Sequence, residues 1–461
     1  MECCAPNILN ESKDNEKVNF QNESMECCAP NILNESKDNE KVNFQNESME
    51  CFVPEILNES KDNNKDSFPN EIFALCFLAS MRNGDSIIGY FFQTNITKLG
   101  DSTVKLTGIL AMCSIFGFVI IKRQRFVSII QNIIVVDEIF VRLGMKLDYR
   151  RILLICFLIS VGMLTFNVIY LCVSYALLIS ATFSPSFVTF TTFALPHINI
   201  SFMVFKFLCT THLARSRFSM LNEILQDILD AHIEQYNALE ISPMHSVVNN
   251  NHYAYRLRNM ISTPMKRYSV TSIIRQNPEY AIKQVSNIQN LLCDICQTIE
   301  EYFTYPLLGI IAISFLFILF DDFYILEAQL NPKRLDKFEA DEFFAFFLSQ
   351  MIWYIVIIFL IVEGSSKTIL QNSETAVMVH KILNITDDPE LRDRLFRLSL
   401  QLSHRRVRFT AAGLFPLDRT LYFTITGAAT TYLIILIQFR YTHHMEESND
   451  NNNNTQQSNI F

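Results

Sequence analysis

Long apolar runs alternate with polar stretches along most of the chain. A membrane-spanning helix needs about 20 mainly apolar residues. Segments of suitable length and composition are 103–121, 152–180, 187–209, 303–320, 343–362 and 420–439. A shorter apolar run, 72–81, ends at Arg82, and we expect it to be the second half of an incomplete first helix. The pattern predicts an all-α, polytopic membrane bundle of seven transmembrane helices.

Composition supports this fold class. Hydrophobic residues make up 49% of the 461 positions and charged residues only 18%, against about 25% charged residues in a typical soluble domain. The net charge of −9 belongs to the N-terminal region, because residues 1–71 contain 16 acidic and 6 basic side chains whereas the remainder contains 31 and 32. The composition favours a membrane protein over a soluble enzyme, and it gives no basic surface for nucleic acid.

The two ends of the chain are polar. Residues 1–24 recur letter for letter at 25–48, and a degraded third copy fills 49–71. These acidic tandem repeats contain too few apolar residues to form a core, so we predict that 1–71 is disordered. We predict a channel domain over 72–440 and a short, disordered extracellular tail over 441–461.

The charges between the apolar segments orient the bundle. Basic side chains are abundant in 122–151, 210–302 and 363–419, whereas 321–342 contains seven acidic and three basic residues. Because positively charged loops stay in the cytoplasm, the N-terminus is expected inside and the C-terminus outside. This inverted topology is opposite to that of a G-protein-coupled receptor. It also places the Asn95-Ile-Thr97 sequon outside, so Asn95 is a candidate glycosylation site.

Motifs for catalysis and metal binding are missing from the sequence. It contains no Gly-x-Ser-x-Gly, phosphate loop or HExxH motif. Cys293 and Cys296 form its one CxxC motif, and without a second Cys/His pair we interpret them as one face of a helix. We therefore expect neither enzymatic activity nor a cofactor nor a metal site.

The C-terminal segment carries a family resemblance. Residues 409–439 read FTAAGLFPLDRTLYFTITGAATTYLIILIQF. They resemble the C-terminal signature of insect gustatory receptors, in which Thr-Tyr, here Thr431-Tyr432, precedes five apolar residues and Gln-Phe, here Gln438-Phe439. The resemblance extends through 301–327 and 346–365, covers about 72–440 in all, and looks closest to the lineage numbered 28.

This resemblance implies a ligand-gated, non-selective cation channel in the plasma membrane of chemosensory neurons, in dendrite, axon and cell body. It also implies a homo- or heterotetramer with other gustatory receptors, in which the last helix of each subunit surrounds the pore. The expected partners are a small-molecule tastant, in a pocket in the outer half of the bundle, and the lipid bilayer. A G-protein-coupled receptor-like or transporter-like protein is the alternative. The sequence leaves open whether the stimulus is a sugar, a bitter compound, a nucleoside, heat or light.

Small, hydroxyl and amide residues share one face of the last segment. At 3.6 residues per turn, Gly427 lies on the same stripe as the later polar positions. Two interpretations are open: the stripe lines a pore with an isoleucine constriction, or it packs against another helix through hydrogen bonds. The resemblance favours the pore and places the gate at the Gln-Phe pair. The pore and gate candidates are Thr431, Ile434, Ile435, Gln438 and Phe439.

Polar and aromatic residues within or beside the other apolar segments are candidate ligand contacts. Trp353, the only tryptophan, can stack on a ring while a nearby amide fixes the orientation of the ligand. Ordinary bundle packing or an interfacial aromatic belt is the alternative for each of these residues. The candidates are Tyr170, Tyr175, His197, Asn199, Asp322, its neighbour Asp321, Gln350 and Trp353. The basic cluster around His404 is expected at the membrane surface or between subunits.

Overall fold

A computed structural model describes residues 115–180 apart from 116 and 120, together with 186–240, 277–330 and 340–458. All of them belong to one compact unit, Asp66–Phe461. The N-terminal repeats, the run 72–81, Asn95 and most of 103–121 lie outside the described residues. The elements in chain order are α1 Arg123–Arg142, α2 Tyr149–Ser180, α3 Phe187–Glu240, α4 Pro278–Leu330, α5 Ala340–Ile385, α6 Pro389–His404, β1 Thr410–Ala411, β2 Phe415–Pro416 and α7 Thr420–Ser458.

Within the described residues, five helices contain stretches long and apolar enough to cross a membrane. These stretches are Tyr149–Ser180, Phe193–Ile233, Pro278–Leu326, Asp341–Ile385 and Thr420–Phe439. Each overlaps one of the predicted segments from 152–180 onward, and three of them extend well beyond the predicted bounds. The predicted fold class, an all-α multi-pass membrane bundle, is confirmed.

The long helices continue well past the membrane. At 1.5 Å per residue, the 54 residues of α3 extend about 80 Å, whereas the hydrocarbon core is about 30 Å thick. The sequence predicted cytoplasmic loops over 210–302 and 363–419, but the structure continues α3 as helix to Glu240 and α5 to Ile385. The reason is a helical apolar spacing on α3, where Phe218, Leu221, Leu225 and Ile228 are at most 1% exposed.

The region 122–151, predicted as a loop, is also mostly helical. Helix α1 spans 20 residues, and its buried face includes Ile129, Ile133, Val136 and Phe140. These positions recur at intervals of three and four, so they form one apolar stripe against the bundle.

Helix α6 closes the cytoplasmic side of the bundle. Its buried face consists of Leu391, Leu395, Leu398 and Leu402, and the Asp388 side chain caps its N-terminus by accepting a hydrogen bond from the Glu390 amide. Just beyond the helix, in the basic cluster around His404, Arg405 forms an ion pair with Asp294 of α4 and donates a hydrogen bond to Asn290 at 3.0 Å. This arginine therefore fastens the end of α6 to α4 within one subunit.

A two-stranded hairpin connects α6 to α7. Gly413 adopts a φ of 73° in its turn, a conformation that glycine enters without steric cost. The Thr410 amide donates to the Glu300 carboxylate at 3.1 Å, and the Ala412 amide donates to the Thr304 hydroxyl at 2.6 Å. These bonds hold the hairpin on α4 and so position the start of α7.

Helix α7 is longer than its apolar part. The sequence predicted a tail without secondary structure from residue 441, but the structure continues the helix to Ser458. Extending an existing helix avoids the cost of nucleating a new one, and this explains how a polar sequence joins α7.

Candidate functional site

Three helices bring an aromatic and polar cluster together in the half of the bundle predicted to face outside. Tyr170 of α2, His197 of α3 and Trp353 of α5 are each at most 5% exposed. The centroid of the His197 ring lies 5.0 Å from that of Tyr170 and 4.6 Å from that of Trp353, and the Tyr170 and Trp353 centroids are 5.6 Å apart. These residues come from three separate apolar segments, so only the packing of the helices unites them.

Hydrogen bonds fix the imidazole of His197. Its Nδ1 lies 2.8 Å from the Phe193 carbonyl oxygen, and its Nε2 lies 3.3 Å from the Tyr170 hydroxyl. A carbonyl oxygen can only accept, so Nδ1 carries a proton and donates it to Phe193, while Nε2 and the Tyr170 hydroxyl share the second hydrogen bond. These two bonds hold the ring in one orientation and link α2 to α3.

Several polar atoms beside this ring lack hydrogen-bond partners. Among the buried side-chain atoms without a partner in the described part of the chain are Trp353 Nε1, the Tyr354 hydroxyl and Asp321 Oδ2. Asp321 is close enough to act electrostatically on both Tyr170 and Tyr354. Leaving a buried polar group unpaired costs about 1–3 kcal/mol. The cluster therefore has unpaired polar groups that a bound polar molecule can satisfy.

A second polar contact joins the same two helices one turn away. The Ser201 hydroxyl donates to Asn167 Oδ1 at 2.9 Å, and Asn167 Nδ2 donates to the Met163 carbonyl oxygen at 2.8 Å. The sequence interpretation missed Asn167, Ser201 and Tyr354. The signal was helical spacing, because Asn167 precedes Tyr170 by three residues and Ser201 follows His197 by four, which places each pair on one helix face.

The other predicted ligand contacts differ in how deeply they are buried. Gln350 is 3% exposed and lies one turn before Trp353, on the same face of α5. Tyr175 is 44% exposed, with its ring 5.1 Å from that of Phe190. Asn199 and Asp322 are half-buried, whereas Asp321 is buried and acts electrostatically on Tyr170 and Tyr354. The structure thus assembles Tyr170, His197 and Trp353, and leaves Tyr175 at the surface of the single chain.

The predicted pore residues all lie on α7, on the side away from their own bundle. Leu433 and Leu436 pack against a core cluster formed by Leu178, Phe323, Tyr324, Phe343, Phe346 and Phe347. Because successive residues are 100° apart on a helix, Thr431, Ile434 and Gln438 point in the opposite direction. Ile434 is 50% and Phe439 67% exposed, and Ile435 is 37% exposed. The bundle of one chain leaves this face of α7 open.

Threonine hydroxyls on α7 are bonded back to the helix. Thr431 donates to the Gly427 carbonyl oxygen at 2.9 Å, and Thr424 donates to the Thr420 carbonyl oxygen at 3.2 Å. Each hydroxyl proton is used within the helix, so the outward side of each oxygen presents lone pairs.

Comparison with known protein families identifies the family to which this chain belongs. The model of the 7tm chemosensory receptor family matches residues 72–443. The chain belongs to this family. Its C-terminal signature lies at the end of the matched region, on the exposed face of α7.

Curated relatives place this chemosensory receptor in lineage 28 of the insect gustatory receptors. Gustatory receptor 28a of Drosophila melanogaster is 84% identical over 374 residues, which cover 81% of this chain and 83% of the relative. Gustatory receptor 28b of the same species is 34% identical over 363 residues, which cover 78% of this chain and 74% of the relative. The predicted membership of lineage 28 is confirmed, and the chain is a multi-pass membrane protein.

A solved structure shares the fold of this chemosensory receptor. The insect olfactory receptor OR5 from Machilis hrabei superposes with a TM-score of 0.52 over 80% of this chain and 86% of that one, at 10% sequence identity. A second structure of that olfactory receptor, in complex with eugenol, gives a TM-score of 0.50. At this identity the likeness concerns the fold, which is the inverted seven-helix bundle that the charge pattern predicted.

Proposed function

We propose that this gustatory receptor is a ligand-gated, non-selective cation channel that detects tastants at the plasma membrane of chemosensory neurons. Four subunits, either four copies of this chain or a mixture with other gustatory receptors, place their α7 helices around a central pore. The observation that carries the proposal is the open face of α7, where hydroxyl, amide and isoleucine side chains point away from the bundle. Exposing such a polar stripe to the hydrocarbon of the bilayer would cost free energy, so the stripe favours a face that contacts water or another helix.

The aromatic cluster is the proposed ligand site. Its rings offer stacking surfaces, and its unpaired atoms include Trp353 Nε1, the Tyr354 hydroxyl and Asp321 Oδ2. A ring compound with a hydrogen-bond acceptor near the indole and polar groups near Tyr354 and Asp321 satisfies all three. Buried aromatic walls with a few placed polar groups are typical of small-molecule sites.

Packed rings connect this site to α7. Phe193 lies beside His197, with centroids 4.8 Å apart, and 6.2 Å from Phe346. Phe346 belongs to the core cluster against which Leu433 and Leu436 of α7 pack. A ligand that binds the open state more tightly than the closed one shifts the population toward open, and this contact chain transmits the shift to the gate at Gln438 and Phe439.

The pore assignment is tested by cysteine accessibility. Cells expressing the full chain are recorded while nucleosides, sugars and bitter compounds are applied, and a cationic methanethiosulfonate reagent is added during the response. Currents of the Thr431→Cys and Gln438→Cys variants should be blocked. Leu436→Cys is the matched control on the opposite face of α7 and should resist the reagent. Equal resistance of all three variants, or equal block, would remove this face from the pore.

The ionic nature of the response is tested in the same recordings. Replacing external Na⁺ by a large organic cation should abolish the inward current, and replacing Cl⁻ should leave its reversal potential unchanged. A reversal potential that follows Cl⁻ would contradict cation conduction. Activation that requires a G protein would contradict a channel that opens by itself.

A further inference from the structure

Lys206 of α3 holds its charge over two aromatic rings. Its ammonium nitrogen lies 4.8 Å from the centroid of the Phe202 ring and 5.3 Å from that of Phe126 on α1. A cation within about 6 Å of a ring centroid is attracted by the π electrons of the ring. Phe202 is exposed and Lys206 is half-buried, so the charge lies at the surface of the chain and not in its core.

Lys122, the residue before α1, is held in the same way. Its ammonium nitrogen lies 5.4 Å from the centroid of the Phe118 ring and 5.7 Å from that of Tyr305 on α4, and these two rings stack with their centroids 4.6 Å apart. The ammonium also donates to the Glu301 carbonyl oxygen at 2.7 Å. Because an ammonium has three N–H donors, Lys122 keeps donors that have no hydrogen-bond partner in the described part of the chain.

The two lysines belong to one surface. Phe126, which contacts Lys206, lies four residues after Lys122, and its ring is 5.4 Å from that of Tyr302 on α4. Tyr302 lies three residues before Tyr305, which contacts Lys122, so the two tyrosines share a side of α4. We call this the basic aromatic surface, which consists of Phe118, Lys122, Phe126, Phe202, Lys206 and Tyr305.

The basic aromatic surface lies at the level of the cytoplasmic headgroups. Lys122 directly follows the apolar segment 103–121, Lys206 lies three residues before the end of 187–209, and Tyr305 is the third residue of 303–320. In the topology that the loop charges predict, all three positions are at cytoplasmic ends. Anionic lipids are concentrated in the cytoplasmic leaflet of the membrane.

The acidic side chains next to Lys122 are bonded to other groups. The Glu301 carboxylate forms an ion pair with Arg125. The carboxylate of its neighbour Glu300 accepts hydrogen bonds from the amide and hydroxyl of Thr410. Neither carboxylate neutralises Lys122, so the surface presents positive charge to the headgroup layer.

We propose that the basic aromatic surface binds the phosphate of an anionic phospholipid from the cytoplasmic leaflet. The ammonium groups of Lys122 and Lys206 attract the phosphate, and charge-assisted hydrogen bonds of this kind are strong. The acyl chains lie along exposed apolar side chains, namely Ile121, Phe202 and Tyr305. Soluble phosphates share the recognised charge, but only a lipid also covers these apolar side chains.

The experiment is native mass spectrometry of the purified full chain in detergent, with phosphatidylserine or phosphatidylcholine of identical acyl chains added. We expect the unmodified protein to retain more phosphatidylserine than phosphatidylcholine. Lys122→Gln and Lys206→Gln should each weaken the binding of phosphatidylserine about fivefold and leave the binding of phosphatidylcholine unchanged. Lys206→Arg keeps a cation beside the same rings and should retain phosphatidylserine.

Arg150 supplies the matched control. It is exposed and lies two residues before the apolar segment 152–180, so it is also at the cytoplasmic membrane surface. It belongs to α2 and not to the basic aromatic surface. Arg150→Gln removes one positive charge, as the lysine variants do, and should bind phosphatidylserine as the unmodified protein does.

Three results would overturn the inference. Equal retention of the two lipids would show that the surface does not select an anionic headgroup. An equal loss in Arg150→Gln would show that diffuse positive charge attracts the lipid. Displacement of phosphatidylserine by millimolar inorganic phosphate would assign the surface to a soluble anion. The readout is the mass of bound lipid and needs no current, so a failure of this inference and a failure of the proposed channel function are separate outcomes.

Discussion

Replacing Asp137 by alanine tests the buried ion pair between α1 and α3. Arg217 and Asp137 are 2% and 3% exposed. Arg217 Nε donates to Asp137 Oδ1 at 3.0 Å, and its Nη2 donates to Oδ2 at 2.7 Å. The Tyr149 hydroxyl donates to the same carboxylate at 3.3 Å. The substitution therefore leaves the buried guanidinium of Arg217 without its counterion, and it removes the hydrogen bond from Tyr149 at the start of α2.

The expected magnitude follows from this geometry. Arg217 would keep one hydrogen bond, from Nη1 to the Leu213 carbonyl oxygen at 3.4 Å, and its positive charge would remain buried without a counterion. Removing one partner of a buried pair costs about 3–5 kcal/mol. We expect Asp137→Ala to lower the apparent melting temperature by several degrees, measured by fluorescence-detected size-exclusion chromatography of heated, detergent-solubilised protein.

Glu138, the next residue on α1, supplies the matched control. Its pair with Arg142 spans 3.5 Å, with the two side chains 61% and 73% exposed, and an exposed helical pair contributes only about 0.3–0.5 kcal/mol. The Glu138→Ala variant should therefore have the same apparent melting temperature as the unmodified protein. The double variant Asp137→Leu, Arg217→Met should recover most of the loss, because it removes both charges and keeps the volume. Equal melting temperatures of the Asp137→Ala and Glu138→Ala variants would refute the reasoning. A double variant with a melting temperature no higher than that of Asp137→Ala would refute it as well.

Further predictions concern close packing and the proposed ligand site. A Cβ added at Gly364 would lie 2.9 Å from a methyl carbon of Leu208, so Gly364→Ala should destabilise the α3–α5 contact by about 1–3 kcal/mol. Gly162→Ala, where a Cβ meets nothing within 4 Å, should melt no lower than the unmodified protein in the same assay. Trp353→Phe removes an N–H that has no partner in the described chain, so it should weaken responses in the compound panel, and the cavity left by the smaller ring at this buried position should lower stability as well. Tyr170→Phe removes the hydroxyl at 3.3 Å from the histidine and should cost about 0.5–1.5 kcal/mol. Loss of response without any loss of stability in the tyrosine variant would contradict its packing role.

The chain organisation could be predicted from sequence because it depends on local composition. An uncharged run such as 152–180 forms all its backbone hydrogen bonds within its own helix, so it is stable in the lipid bilayer. This does not depend on which other helices it packs against. The charges between the runs then orient the bundle, and the Thr431-Tyr432 and Gln438-Phe439 signature indicated the family. The face of α7 that carries Gln438 could be inferred from helical periodicity alone.

Other features depended on contacts between distant segments. Arg217 contributed to the sequence interpretation only as one positive charge of a cytoplasmic loop, but the structure buries it against Asp137, 80 positions earlier. Within the described residues, the stretches predicted as loops are helical where an apolar stripe packs against a neighbouring helix.

The sequence by itself determined that this protein is a multi-pass helical receptor with a polar stripe on its last membrane helix. Only the tertiary structure decided which polar residues meet. It brought Tyr170, His197 and Trp353 together, and it buried Asp321 while leaving its neighbour Asp322 only half-buried. The physical reason is that hydropathy and periodicity act along one helix, whereas the pairing of buried polar groups depends on the rotation and depth at which different helices pack.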